Sequence, residues 1–204
     1  NVHVGDVVAA QALSIQNTAA ADGFSEKLNV TVGSTPTGVT SSGSVALLNA
    51  QATSTNINVG LNTATAGGRN GTVVLNLVSD GAGTSELGQL SIGTRNVQVQ
   101  GNVFRLAQAN TINSVNFGVV HVGDVVAELG LTIQNVAVND GFSEKLNAGF
   151  GATSDARITK NGGSISLLTA GATNSTNMKV GLNTASSGVV NGTVTVNLQS
   201  DGTG

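Results

Sequence analysis

The sequence predicts an all-β protein of tandem immunoglobulin-like β-sandwich repeats, about seven strands per unit, with the second unit incomplete. Three observations carry that expectation. Blocks of the chain recur in the same order at a nearly constant offset. Apolar and polar residues alternate inside those blocks, and Gly, Asn, Asp and Ser cluster between them.

The recurrence is direct. HVGDVV stands at residues 3–8 and 121–126, and DGFSEKLN at 22–29 and 140–147. GS, an apolar step and Leu occupy 43–48 and 163–168; VGLNTA begins at Val59 and Val180, and NGTV at Asn70 and Asn191. The offset drifts only between blocks, where loops absorb it. Residues 1–112 are therefore read as the first repeat and 113–204 as the second. The join at 102–115, NVFRLAQANTINSV, offers Val103, Phe104, Leu106 and Ile112 for burial and reads as a short, semi-rigid junction.

Each strand follows from the comparison of the two copies. The first, 2–8, is Val-rich. The second, 12–17, alternates through Leu13 and Ile15, matched by Leu131 and Ile133. A helix competes over the Ala-rich residues 7–21, but the counterpart VVAELGLTIQNVAV carries Gly130 at its middle, and the strand is favoured. The third, 27–32, follows the DGFSE turn, and the fourth, 44–48, follows TSSG. The fifth, 55–62, keeps Ile57, Val59 and Leu61 apolar as Met178, Val180 and Leu182, while Asn58 becomes Lys179. In the sixth, 72–79, Val73, Leu75 and Leu77 remain apolar as Val194, Val196 and Leu198. Their neighbours Val74 and Val78 drift to Thr195 and Gln199, the period-two signature of a half-buried strand. The seventh, 89–100, changes parity near Gly93, as a bulge would. The second copy runs only to SDGTG, so its seventh strand is expected either from continued chain or from another subunit, by strand addition.

Composition narrows the function classes. Hydrophobic residues make up 39% and charged residues 9%, so small hydroxyl and amide side chains supply the wet surface, and disorder is not expected. No apolar run approaches the roughly 18–20 residues of a membrane span. A net charge of −3 with eight scattered Lys and Arg argues against nucleic acid. The chain has no Cys, which removes disulfides, zinc thiolates and thiol catalysis together. Aromatic content of 2% leaves little to stack on a sugar or a base.

No catalytic residue is assigned. His3 and His121 are repeat equivalents beside Asp6 and Asp124, and a polar position on the first strand explains both. Asp22, Asp80, Asp140 and Asp201 are weak calcium candidates, since hard oxygen ligands beside glycine suit Ca²⁺. Asp-Gly is also ordinary turn chemistry, and no cofactor is expected. A Lys–Asn crosslink from Lys27 or Lys145 to Asn76 or Asn197 would need Glu26 or Glu144 on the same face, whereas strand neighbours face opposite ways. Phe24 and Phe142 are expected to plug the core.

The motifs FG-x-V-x-VGD, L-T/S-I-QN, DGFSEKLN, VGLNTA and NGTV-x-(L/V)-NL-x-SDG-x-G resemble the repeats of bacterial choice-of-anchor D surface proteins, which are similar to the ASH-like branch of immunoglobulin-type domains. The resemblance implies export, a long array of similar domains and assembly at the cell surface. The expected function is then a structural module of an extracellular fibre or stalk, not an enzyme, with copies of itself as partners. The alternative is an adhesin that binds through segments differing between the repeats, such as 31–42 against 148–161.

Overall fold

Alternating apolar residues produce strands throughout, and the computed structural model describes residues 1–203. Gly204, the last residue of the second repeat, lies outside the described residues. Among the described residues every regular element is a strand, and the fold is an all-β sandwich. The chain divides into two compact units, Asn1–Val103 and Phe104–Gly204. The division falls before the expected 112/113 boundary for a physical reason. Ala107, Ala109 and Ile112 pack on the second core, and Arg105 and Ala109 bridge to Ser143 and Asn135.

The first unit contains β1 (Val2–His3), β2 (Gln11–Gln16), β3 (Lys27–Ser34), β4 (Val39–Ser42) and β5 (Val45–Leu48). It continues with β6 (Thr53–Leu61), β7 (Gly67–Gly68), β8 (Gly71–Asp80), β9 (Gln89–Val99) and β10 (Asn102–Phe104), whose last residue begins the next unit. A β2-β6-β4 sheet and a β5-β3-β8-β9 sheet enclose the core, and a β1-β10-β7 ribbon completes the unit. Val30, Val45, Ile57, Val59, Val73 and Leu75 form the centre. The inward parity of β6 and β8 is the one that the repeat comparison predicts.

Two elements depart from the pattern. The first strand shrinks to Val2–His3, because HVGD closes into a turn and leaves Val7 fully exposed. Strand β4 is unanticipated, since TSSG reads as a turn. Yet Gly38, at φ +76°, turns the chain so that Val39 is buried and β4 pairs with β6 from Val39↔Leu61 to Ser42↔Asn58.

The second unit contains β11 (Leu129–Gly130), β12 (Ile133–Gln134), β13 (Lys145–Thr153) and β14 (Ile158–Lys160). It ends with β15 (Ser164–Leu168), β16 (Thr173–Asn174), β17 (Lys179–Leu182) and β18 (Val194–Asp201). One sheet is β15-β13-β18; the other layer is β11-β17-β14 with the β12-β16 pair. Strands β11 and β12 replace β2, and β16 and β17 replace β6. Leu131, Ile133, Leu146, Ile165, Met178 and Val180 build its core at repeat-equivalent positions.

Candidate functional site

Two repeated motifs, HVGD and LNTA, form the halves of one staple. The His3 N–H donates to Asp6 Oδ2 at 2.7 Å, closing the turn. The Gly5 N–H donates to Thr63 O at 3.0 Å, and the Thr63 hydroxyl donates to Asp6 O at 2.8 Å. His121, Gly123, Asp124 and Thr184 repeat these bonds at 2.8, 3.0 and 2.7 Å. The imidazole Nδ1 lies 3.8 Å from the carboxylate in one copy and 3.5 Å in the other. Each threonine hydroxyl donates to a backbone carbonyl, and each aspartate carboxylate closes its HVGD turn.

The four Asp candidates fall into two pairs with separate duties. Asp22 Oδ1 accepts the Phe24 N–H at 2.9 Å, the ordinary Asx-turn bond. Asp140 does the same for Phe142 at 3.0 Å and also receives Arg105 Nη1 on both oxygens at 2.7 Å. The Arg105 bond is the main cause that holds the Asp140 carboxyl below its usual range. Asp80 is buried and accepts from Asn29 Nδ2 at 2.6 Å, Gln89 Nε2 at 2.7 Å and the Ala82 N–H at 2.9 Å. Asp201 accepts from Asn147 Nδ2 at 2.7 Å and the Thr203 N–H at 2.8 Å. Both carboxyls are held low, Asp80 chiefly by the Ala82 N–H and Asp201 chiefly by the Thr203 hydroxyl. Their lone pairs point at protein donors, and among the described residues no three His, Asp or Glu gather as a cation cage.

Glu26 accepts the Ser79 hydroxyl at 2.6 Å and the Ser85 hydroxyl, which together hold its carboxyl below the usual range. Lys27 pairs with Asp80 and Thr31 with Asn76, so Lys27 and Asn76 stand about 13 Å apart along β3 at ~3.3 Å per residue. No crosslink geometry exists there. The segments expected as variable loops are mostly strand: 31–34 closes β3, Val39–Ser42 is β4, and β13 and β14 take up most of 148–161.

Phe24 corrects the core-plug expectation. It is 89% exposed. Its counterpart Phe142 is half-buried and packs on Phe104, with ring centroids 5.9 Å apart at 50°. The repeat alone could not reveal this, because the partner ring precedes the repeated blocks.

The most asymmetric feature is a sheet edge. Strand β8 pairs with β3 on one side and β9 on the other, the latter from Gly71↔Val99 to Asp80↔Gln89. Its counterpart β18 pairs with β13 alone among the described residues. Leu77 is half-buried, but Leu198 is 45% exposed. Scans against protein-family models, curated proteins and solved structures return no match to this chain.

Proposed function

We propose that the chain is a structural repeat module of a bacterial extracellular surface fibre or stalk, assembling with further copies through its sandwich edges. The observation that carries this reading is the duplicated sandwich, whose two cores are built from repeat-equivalent positions, with β9 beside β8 as the pattern for a strand at the matching edge of β18. A strand of the 86–101 kind fits that edge, since β8 and β18 share their inward Val, Val or Leu, and Leu positions. Backbone hydrogen bonds would supply the affinity of such an addition, and the apolar alternation its register.

The surface chemistry supports the same reading. Charged residues are 9% of the chain, so identical copies meet little repulsion at close range. The resemblance of the blocks to arrayed surface proteins supports the exported setting. Absence of charge is otherwise a hazard at an open edge, which proteins normally blunt with lysine, proline or a cover.

The test is to incubate the 204-residue chain with and without a synthetic peptide of residues 86–101, followed by negative-stain microscopy and hydrogen exchange. The module reading expects ordered assemblies of the bare chain, and protection of β18 amides when peptide is added. A strictly monomeric chain whose β18 amides are already protected would overturn it.

A further inference from the structure

The flank of each sandwich where the chain passes from one sheet to the other is built alike in both units. In the first, β4 lies at the edge of the β2-β6-β4 sheet and β5 at the edge of the β5-β3-β8-β9 sheet. In the second, β14 and β15 hold the same places. Gly43 and Gly163 make the crossing, where a side chain would run into the carbonyl oxygens of Asn56 and Asn177. No strand on this flank is longer than five residues.

An edge strand offers backbone groups to any other strand, and proteins blunt it with charge, proline, short length or a bulge. The sequences of β5, VALL, and β15, SISLL, carry neither charge nor proline. Each carries a bulge instead. Leu28 pairs with Leu48 and Val30 with Val45, so Ala46 and Leu47 together stand opposite Asn29. Leu146 pairs with Leu168 and Ala148 with Ile165, so Ser166 and Leu167 stand opposite Asn147. The Leu47 and Leu167 N–H groups are turned inward onto Asn29 Oδ1 and Asn147 Oδ1, each at 2.6 Å. An added strand finds neither of these donors, and it meets a ladder that the extra residue bends.

The core does not need the extra leucine. Leu47 is 44% exposed and Leu167 39%, whereas Val45 and Ile165 are buried in the two cores. Without Leu47, Ala46 alone would stand opposite Asn29, and Val45 and Leu48 would keep both their partners and their faces. The residue is also costly to hold, since left-handed backbone suits glycine and is an outlier for leucine. Strain of that kind persists only where the surroundings impose it. Both units keep it although their flanks differ, Val45, Ala46 and Asn49 in one being Ile165, Ser166 and Thr169 in the other. All the groups involved lie between residues 28 and 80 or between 146 and 201.

We propose that this flank is a closed edge: the leucine bulge and the glycine crossing refuse a strand from a second copy of the chain, so copies do not pair through β5 or β15. Uncharged copies that meet freely need such a device, because nothing else on these two strands keeps them from pairing edge to edge. The bulge takes one side of each sandwich out of assembly and so gives association a direction. This deepens the module reading, and rests on it only for the existence of an assembly; the closure itself is a property of each unit.

The test uses the full 204-residue chain, which has no cysteine of its own. Ala46→Cys puts a thiol on the β5 edge, and Ala64→Cys, at an exposed loop position, is the control. An antiparallel β5–β5 pair would bring the thiols of two copies into disulfide range. Under mild oxidation the two variants should form dimers at rates within about twofold of each other. Deletion of Leu47 opens the edge: Ala46→Cys in that background should crosslink at least about tenfold faster, and sedimentation velocity should show a dimer. Ala46→Cys crosslinking about tenfold faster than Ala64→Cys in the undeleted chain would overturn the proposal. A deletion variant that melts cooperatively yet neither dimerises nor crosslinks faster than the parent would also overturn it. Should the deletion variant misfold, the comparison in the undeleted chain decides alone. Assemblies whose β5 thiols stay unlinked support both readings; assemblies with rapid linking keep the module and remove the closed edge. A chain that associates only when Leu47 is deleted keeps the closed edge and removes the module.

Discussion

Asn29 and Asp80 are joined across β3 and β8 by a 2.6 Å hydrogen bond, Nδ2 to Oδ2, and the Asn29 oxygen accepts the Leu47 N–H at 2.6 Å. The second unit repeats the arrangement with Asn147, Asp201 and Leu167 at 2.7 and 2.6 Å. Leu47 and Leu167 have φ of 51° and 54°, a left-handed conformation that a leucine adopts only under constraint. The asparagine supplies it: the ladder slips at Leu28/Val30 and Leu146/Ala148, and the side-chain oxygen receives the N–H at the irregular step. Asn29→Ala removes this acceptor and takes one donor from a buried carboxylate, at a cost of about 1–3 kcal/mol. Urea unfolding monitored by hydrogen exchange should show the loss in the first unit and an unchanged second unit. Equal protection of both units in the variant would disprove the role.

The two faces of β8 give a sharper contrast. Leu75 is 2% exposed, while the adjacent Asn76 faces solvent. Leu75→Asp places an unpaired charge in the core, at a cost of several kcal/mol. Asn76→Asp should change stability by less than about 0.5 kcal/mol. Thermal melts of the two variants beside the parent decide it, and indistinguishable midpoints for Leu75→Asp and the parent would refute the inward assignment.

What the sequence made readable was the part of the fold written twice. Positions where both copies stay apolar, such as Ile57 with Met178 or Leu75 with Val196, face inward, because packing constrains both copies alike. Features outside the matched sequence blocks escaped. Val39–Ser42 pairs with β6, yet its TSS carries the chemistry of a turn, and only tertiary burial of Val39 reveals a strand. Residues 104–117 lie outside the matched blocks, so neither the domain boundary nor the Phe104–Phe142 contact could be read from self-comparison. Asn17 and Asn135 sit in the repeated QN and could have been flagged. An amide retained in both copies directly after an apolar strand is a signal for a buried side chain bonding to backbone.

Acid sensitivity follows from the carboxylates. Glu26, Asp80, Asp140, Asp155 and Asp201 are all held below their ordinary range, mainly by hydroxyl, amide, backbone or arginine donors. A carboxyl depressed by folding contributes stability that is complete above its unfolded value and is lost as pH falls through the folded one. Both units should therefore hold a level melting temperature at near-neutral pH and lose it below about pH 4. Asp140→Asn should be less stable than the parent at neutral pH and approach it in acid, since protonation of Asp140 then removes the parent's Arg105 ion pair while the variant's asparagine does not titrate. A midpoint unchanged between about pH 5 and about pH 2 would contradict the linkage.

A duplicated pair should respond unequally to the same substitution. Ile133 is fully buried, with Ile112, Val115 and Phe117 packed on its cluster, whereas Ile15 is only half-buried. Ile133→Ala removes methyl groups from an enclosed site and leaves a cavity, costing about 3–5 kcal/mol. Ile15→Ala removes the same atoms from a half-buried site, so the transfer part alone applies, about 1–2 kcal/mol. The leading segment, rather than the residue, sets the difference. Ile112→Ala should accordingly reduce the cost of a further Ile133→Ala, because the two share one cavity and their effects are then not additive. The measurement is a double-mutant cycle read from unfolding of the second unit. Strict additivity there, or equal losses for Ile15→Ala and Ile133→Ala, would show that residues 112–117 do not close that side of the core.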